Sequence, residues 1–493
     1  MKKKVLSILL CVSLVSSMLI GCGSSSDKTE TTDTTTEVTT DTTAATTDEA
    51  TAVTPAADEP ITISLGSWPD DSLADDVTLW EGYTATFNET HPNVTVVPAS
   101  YIYAVDTFAP LCESGNCPTM YDTWFTEPKK IIAEGYARDI TDILQERGWL
   151  DAMNPAVRAL LSDDNGRVYG VPRDGYALGL MMNADLFKEA GLVDADGYPL
   201  YPTTWKDLAE KAVTIKEKTG AAGLCLLAAD NAGGWHFSNI AWTFGAKFTT
   251  ANADGTYTAD VDSKEAIAAM EYVKSLKWDY DVLTADPLSE TWGTGFTALA
   301  TGDAAMYIAA NDAVNQPTQV NGLPLESLAM CGIPSGDAGT VSLAGGTPYM
   351  FAADATDAQV NACLDYLEVM GKAPTATATV EAGLVADAKN RIANGVPVIS
   401  GFQCWVNADR LALVDKVDKE YGNVDSKMYE AYTKATTEGE LRAEESGSAQ
   451  DLYAELTKVL QEVLTNKDAD VASLMKTADE NYQTILDGLY PAK

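Results

Sequence analysis

Apolar and polar positions divide the chain into three stretches. Residues 5–20 are apolar apart from serines and follow Lys2, Lys3 and Lys4; the run is too short to span a bilayer as a mature helix, so it reads as an export signal. Residues 23–59 are almost entirely Ser, Thr, Asp, Glu, Ala and Gly and cannot bury a core. From Ile61 the pattern changes. Ile61, Ile63 and Leu65 alternate with polar residues up to Gly66, which predicts a strand. Leu79, Tyr83 and Phe87 recur at helical spacing and stop before His91-Pro92, and Val94-Thr95-Val96-Val97-Pro98 predicts a second strand. A helix over 103–112, a short strand at Met120-Tyr121-Asp122 and a helix from Pro128 continue the series. This alternation predicts an α/β fold with mostly parallel sheets. Near the end, Leu452, Leu456, Val459, Leu460 and Val463, then Leu474, Ala478, Tyr482, Ile485 and Leu489, form two core-facing helical stripes.

Length and charge narrow the picture. Residues 60–493 suffice for two lobes with full cores. The formal charge is −39, and losing three lysines and no acids with the signal takes it to −42. Nucleic acid is excluded as a partner, because phosphate binding needs basic surface, and charge attraction to anionic lipid is excluded with it. Outside the signal and Cys22 there are six cysteines. Cys112 and Cys117 are near enough in sequence to close a small loop, pairings among Cys225, Cys331, Cys363 and Cys404 are open, and all six fit buried free thiols equally well; no CxxC repeat marks zinc.

Leu19-Ile20-Gly21-Cys22 resembles the lipobox of bacterial lipoproteins. That resemblance makes 1–21 a signal peptide, Cys22 the lipidated first residue, and 22–59 a tether with a reach of about 30 Å. The body resembles the extracellular solute-binding proteins of ABC importers, in the family that includes maltose-binding proteins. The most specific pieces are Asn183-Ala184-Asp185-Leu186-Phe187-Lys188-Glu189-Ala190-Gly191-Leu192 and Thr204-Trp205-Lys206-Asp207-Leu208. Segments 87–96, 113–118, 132–140, 166–172, 296–306 and 345–347 complete a series that follows the family's order. The chain departs from the pattern at Thr119, where the family has an aspartate, and at Met181-Met182, where it has a tyrosine pair. The resemblance implies a two-lobed periplasmic-binding-protein-like fold closing on its ligand by a hinge. Crossings are expected near 171–176, 333–339 and 383–395. Lobe one is then about 60–172 and 341–382, and lobe two about 177–332 and 395–493. The implied function is a membrane-anchored receptor for a carbohydrate, an oligosaccharide by preference, delivered to the transmembrane subunits of an ABC permease. It is expected to be a monomer facing the cell exterior, held only by its lipid.

A sugar site needs flat apolar faces for the C–H side of a pyranose and charged or amide groups for its hydroxyls. Residues of those types beyond the carboxyl ends of strands, where such sheets bind ligands, or near the crossings are Trp68, Asp70, Asp71, Trp124, Glu127, Arg173, Asp174, Tyr176, Asn311, Asp312 and Tyr349. Trp235, His236, Trp405 and Arg410 join them. Trp235 follows Gly233-Gly234, a pair suited to a close backbone approach in a ligand loop. No catalytic residue, metal ligand or cofactor is assigned. The Asp-Gly loops at 163–166, 194–197 and 252–255 lack an EF-hand's ligand series, and no glycine run continues into a phosphate loop. The rival readings are an extracellular glycoside hydrolase using paired carboxylates and a peptide or amino-acid receptor of the same import system.

Overall fold

The computed structural model describes residues 59–163 and 165–492; the export signal, Cys22 and the tether lie outside them. Eleven strands are present among the described residues: β1 (Ile61–Leu65), β2 (Val94–Pro98), β3 (Met120–Asp122), β4 (Gly170–Asn183), β5 (Ala222–Cys225), β6 (Thr249–Ala251), β7 (Tyr257–Ala259), β8 (Ala304–Ala310), β9 (Leu328–Gly332), β10 (Val341–Phe351) and β11 (Glu440–Ala443). Nine form one sheet along the path β2-β1-β3-β10-β4-β8-β5, with β9 on β4 and β11 on β10; β6 and β7 pair apart. The β1–β2, β1–β3, β5–β8 and β10–β11 pairs are parallel, whereas β10–β3, β10–β4, β4–β8 and β4–β9 are antiparallel. The sheet is therefore mixed rather than mostly parallel. Alternating strands and helices predicted βαβ units, but the two long strands that return between lobes reverse direction, and periodicity carries no record of that.

Two large apolar cores define the lobes. One gathers Ile63, Phe87, Met120, Trp149, Tyr349 and Phe351; the other gathers Leu180, Phe187, Trp205, Phe237, Met306, Leu452 and Tyr482. β4 starts in the first core at Val171 and ends in the second at Leu178 to Met182. β10 runs the opposite way, from Val341 and Leu343 to Tyr349 and Phe351. The second crossing thus lies within β10, not at 333–339. The third is displaced too: Val396 and Ile399 touch the second core, but Trp405, Leu413 and Val417 pack into the first, and the chain joins the second for good only from Val424. The helix Ala408–Tyr421 belongs to lobe one, so the last crossing follows Tyr421 instead of lying at 383–395.

Other local readings shift by a face or a partner. In the helix Val471–Leu489 the buried stripe is Val471, Met475, Ala478, Tyr482 and Leu486, while Leu489 is exposed. His91 stacks on Phe87 at 4.2 Å and its Nε2 lies 3.2 Å from Asp365. The Sγ atoms of Cys112 and Cys117 approach to 2.7 Å, and Cys225, Cys331, Cys363 and Cys404 are buried free thiols. At Asp194 the carboxylate accepts from the backbone N–H groups of Asp196 and Tyr198, the bonding of an Asx turn.

Candidate functional site

The β4–β10 ladder is irregular where it passes between the lobes. Thr347 pairs with Asp174 and Pro348 with Pro172, so Arg173 is an extra residue on β4. Proline at 172 and 348 removes two N–H donors from the same rung, which leaves little to hold a regular register there. A bulge re-aims its side chain, and here it presents Arg173 to the carboxyl ends of β1 and β3. Beyond those ends lie Gly66-Ser67-Trp68 and Asp122-Thr123-Trp124. With Tyr101, Ile102, Tyr103, Arg173 and Thr347 they line a depression of about 270 Å³.

Arg173 is the electrostatic centre of this wall. Its guanidinium bonds Asp122 through Nη1 and Asp174 Oδ2 through Nε at 2.8 Å. Burial works against its charge, but Asp174 and Asp122 hold its pKa above the ordinary value. Asp122 is itself shifted upward, because burial outweighs the attraction of Arg173. Asp312, just past β8, is pushed up to about 7 by burial, with Asp174 adding to the shift and Arg173 opposing it. Aromatic faces flank the acids. Trp124 is 43% exposed and meets Tyr103 edge-on at 5.2 Å, and Trp68 meets Trp80 edge-on at 5.4 Å.

Lobe two supplies the opposite wall. Trp235 lies at right angles to Tyr176, with ring centroids 6.0 Å apart. Glu444, which follows β11, sits beside both rings and near Glu127 of lobe one; burial pushes its carboxyl up to about 8. Glu127 is 4% exposed and accepts from Tyr103 Oη at 2.8 Å. Gln450 Nε2 reaches Thr126 Oγ1 at 3.4 Å across the crevice.

The structure thus brings together Trp68, Trp124, Glu127, Arg173, Asp174, Tyr176, Trp235 and Asp312. It separates the others. Asp70 and Asp71 are exposed, and Asp70 Oδ1 accepts from the Ser72 N–H. Tyr349 does lie close to Arg173, Asp174 and Asp122, opposite Asp122 in the β10–β3 ladder, but its own ring is buried in the core of lobe one. Asn311 is fixed by Tyr432, whose hydroxyl donates to its Oδ1 at 2.7 Å. His236 is fully buried and enclosed by Trp235, Trp292 and Tyr307, and burial lowers its pKa to about 3, so it stays neutral. Gly233 and Gly234 lie in the helix Asn231–Phe244 rather than in a loop; Gly234 permits a close approach to the helix Ala449–Thr465, and Gly233 lies against the backbone of Leu227 and Ala228.

Trp405 and Arg410 pack inside lobe one. Trp405 meets Trp149 edge-on at 5.9 Å and donates from Nε1 to the Lys372 carbonyl at 2.8 Å; Arg410 donates to the Gly371 carbonyl, and burial lowers its pKa to about 10. Trp405→Ala is therefore expected to cost about 3–5 kcal/mol of stability, as large-to-small core changes do. A urea melt unchanged from wild type would place this ring outside the core.

Residues that sequence reasoning missed are Asp122, Tyr101, Tyr103, Thr347 and Glu444. Asp122 ends a strand already recognised, so the strand-end rule would have found it. Glu444 sits in Ala443-Glu444-Glu445, one acidic pair among many, with no local signal.

A family model described as bacterial extracellular solute-binding protein matches residues 70–369, and the chain belongs to that family. Solved structures share the two-lobed fold. An ABC transporter solute-binding protein from Thermotoga lettingae, bound with alpha-D-tagatose, is 17% identical with a TM-score of 0.66, covering 87% of this chain and 100% of its own. The GacH receptor of Streptomyces glaucescens, solved unliganded and with acarbose, is 18% identical with a TM-score of 0.65, covering 87% and 99%. UgpB from Mycobacterium tuberculosis, in complex with glycerophosphocholine, is 16% identical with a TM-score of 0.63, covering 88% and 100%. At such identities the likeness is one of fold. No curated protein sequence matches the chain.

Proposed function

We propose that this protein is the receptor of an ABC importer, which takes a carbohydrate into the interlobe crevice and passes it to the permease subunits while a lipid on Cys22 keeps it at the outer face of the cell membrane as a monomer. The observation that carries the reading is the crevice itself. Exposed indole at Trp124 and half-buried indole at Trp68 stand beside Asp122, Arg173 and Asp174, and β4 and β10 run through the junction as the pieces a hinge would bend. Stacked rings and charge-assisted hydrogen bonds suffice for about −8 kcal/mol, a micromolar affinity, with no covalent step. Among the described residues no helix is long and apolar enough to cross a membrane, which suits an anchor supplied by lipid.

Calorimetric titration of the chain from residue 22, carrying Cys22→Ser, against mono- and oligosaccharides tests the proposal. One-to-one binding of an intact sugar is expected. Trp124→Ala should weaken it by about tenfold or more with little change in melting, because that ring is largely outside the core. Cleaved sugar would instead recast Glu127 and Glu444 as the carboxylate pair of a hydrolase. Binding of peptides or amino acids alone would overturn the carbohydrate assignment.

A further inference from the structure

The helix Val105–Glu113 ends in a turn that folds the chain back on itself. Gly115, at a φ of +74°, donates its N–H to the Cys112 carbonyl at 3.0 Å, and the Asn116 N–H reaches the Leu111 carbonyl at 3.2 Å, the paired bonds of a Schellman motif. Glycine takes this left-handed conformation without strain. The flanking side chains reinforce the turn: Asn116 Nδ2 donates to Ser114 Oγ at 2.9 Å, and Ser114 Oγ donates to the Leu111 carbonyl at 2.8 Å. The reversal carries Cys117 back onto the last turn of the helix, where its Sγ lies 2.7 Å from that of Cys112. A small side-chain rotation brings the two sulfurs to a bonding separation of about 2.0 Å.

This turn stands behind one side of the crevice. Phe108 alone is buried among the nine residues of the helix, and Pro110 removes an N–H from its interior. A helix so short and so thinly packed has little stability of its own. Yet Phe108 meets Tyr103 at 5.3 Å and Tyr121 at 5.0 Å, and Tyr121 meets Tyr101 at 6.2 Å; Cys112 and Cys117 pack against the same aromatic cluster. Tyr101 and Tyr103 line the depression, and Tyr101 Oη donates to the Asp122 carbonyl at 2.9 Å.

We infer that Cys112 and Cys117 form a disulfide in the extracellular protein, which ties the helix Val105–Glu113 to the chain entering β3 and so holds the Tyr101 and Tyr103 side of the crevice in place. The family is an extracellular one, and disulfides form and persist outside the cytoplasm. The oxidant is an external disulfide of the thiol-exchange class. The Cys112 thiolate attacks one of its sulfurs and expels a thiolate; the Cys117 thiolate then attacks Cys112 Sγ and expels the second. Two protein thiols become one disulfide while the oxidant's disulfide becomes two thiols, and the two protons pass to the departing sulfurs. The hydrogen bond between the pair lowers the Cys112 thiol from its ordinary value and raises Cys117, which suits Cys112 as the first attacker. Cys225, Cys331, Cys363 and Cys404 differ: each is buried in a lobe core, and burial raises its thiol, so little thiolate is available for exchange.

For the test, the chain from residue 22 with Cys22→Ser is equilibrated with equal amounts of glutathione and its disulfide, alkylated without denaturant, and cleaved at glutamates, which cuts after Glu113 inside the ring. The pieces carrying Cys112 and Cys117 are expected to stay joined and unalkylated until a reductant separates them. Recovery of most of either sulfur as an alkylated thiol, or as a mixed disulfide with glutathione, overturns the bond. Reduction of the joined form should speed amide hydrogen exchange across 105–113 about tenfold or more and leave the core helix Ala449–Thr465 unaffected. The double variant Cys112→Ser, Cys117→Ser should show no response to reductant. A bond whose reduction leaves exchange across 105–113 unchanged overturns its part in holding the crevice. Neither failure touches the carbohydrate reading, which the sugar titration tests separately.

Discussion

Arg173→Ala is expected to abolish measurable ligand capture and to lower the unfolding free energy by about 3 kcal/mol, the low end for removing one partner of a buried ion pair. The low end applies because the side chain is partly exposed, at 30%. The loss should depend on pH. With the guanidinium gone, Asp122 keeps the burial and the neighbouring Asp174 that raise it and loses the attraction that opposes them, so its folded-state pKa rises further above that of the unfolded chain. A carboxylate raised in this way stabilises the fold least at high pH, and the penalty fades as pH falls toward its unfolded value. Urea melts should therefore separate Arg173→Ala from wild type more at pH 8 than at pH 5. Equal melts at both values would mean that the acids do not depend on this residue. Arg173→Lys keeps the charge but not the planar fork that serves two acids at once, so stability should recover further than binding.

Gly234→Ala is expected to destabilise the protein by about 1–3 kcal/mol, although alanine is the better helix former by about 1 kcal/mol. Propensity and packing predict opposite signs, and packing wins. A Cβ at 234 would stand 2.2 Å from the Tyr453 carbonyl oxygen and 2.6 Å from its Cα, so backbone must move. The helix Asn231–Phe244 would be pushed from Ala449–Thr465, straining the bond from the Gly234 N–H to Thr457 Oγ1 at 2.9 Å. Trp235 and Tyr453 belong to the Glu444 wall, so ligand affinity should fall along with stability. Gly233→Ala is the control: its Cβ would meet the Leu227 carbonyl at 3.0 Å and the Ala228 Cα at 3.1 Å, a misfit of a few tenths of an ångström. Equal denaturation midpoints for the two variants would show that the helices can separate at no cost.

Both predictions rest on juxtapositions with no trace in local sequence. Trp235 and Glu444 are more than two hundred residues apart and meet because Ala449–Thr465 docks along Asn231–Phe244 just after β11 joins β10. Trp405 shows the converse. Its residue type suits a sugar-stacking face, yet the helix after it packs back onto lobe one and the ring joins that core. Fully buried Tyr349 differs from half-buried Tyr176 only in where its strand runs between layers.

By itself the sequence determined what depends on neighbours within a few residues. Alternation at Ile61 to Leu65 and helical recurrence at Tyr83 and Phe87 specified β1 and the helix Ala74–Thr90, since period decides which side chains share a face. The position of Trp68 and Trp124 past strand ends was legible because loops at those ends face the crevice in any such sheet. The order of short motifs carried the family. Tertiary structure alone decided the antiparallel return of β10, the last crossing after Tyr421, the burial of Trp405 and the arrival of Glu444 opposite Glu127. Each depends on which distant surfaces exclude water together, and that long-range choice is set by packing of the whole chain rather than by the residues on either side.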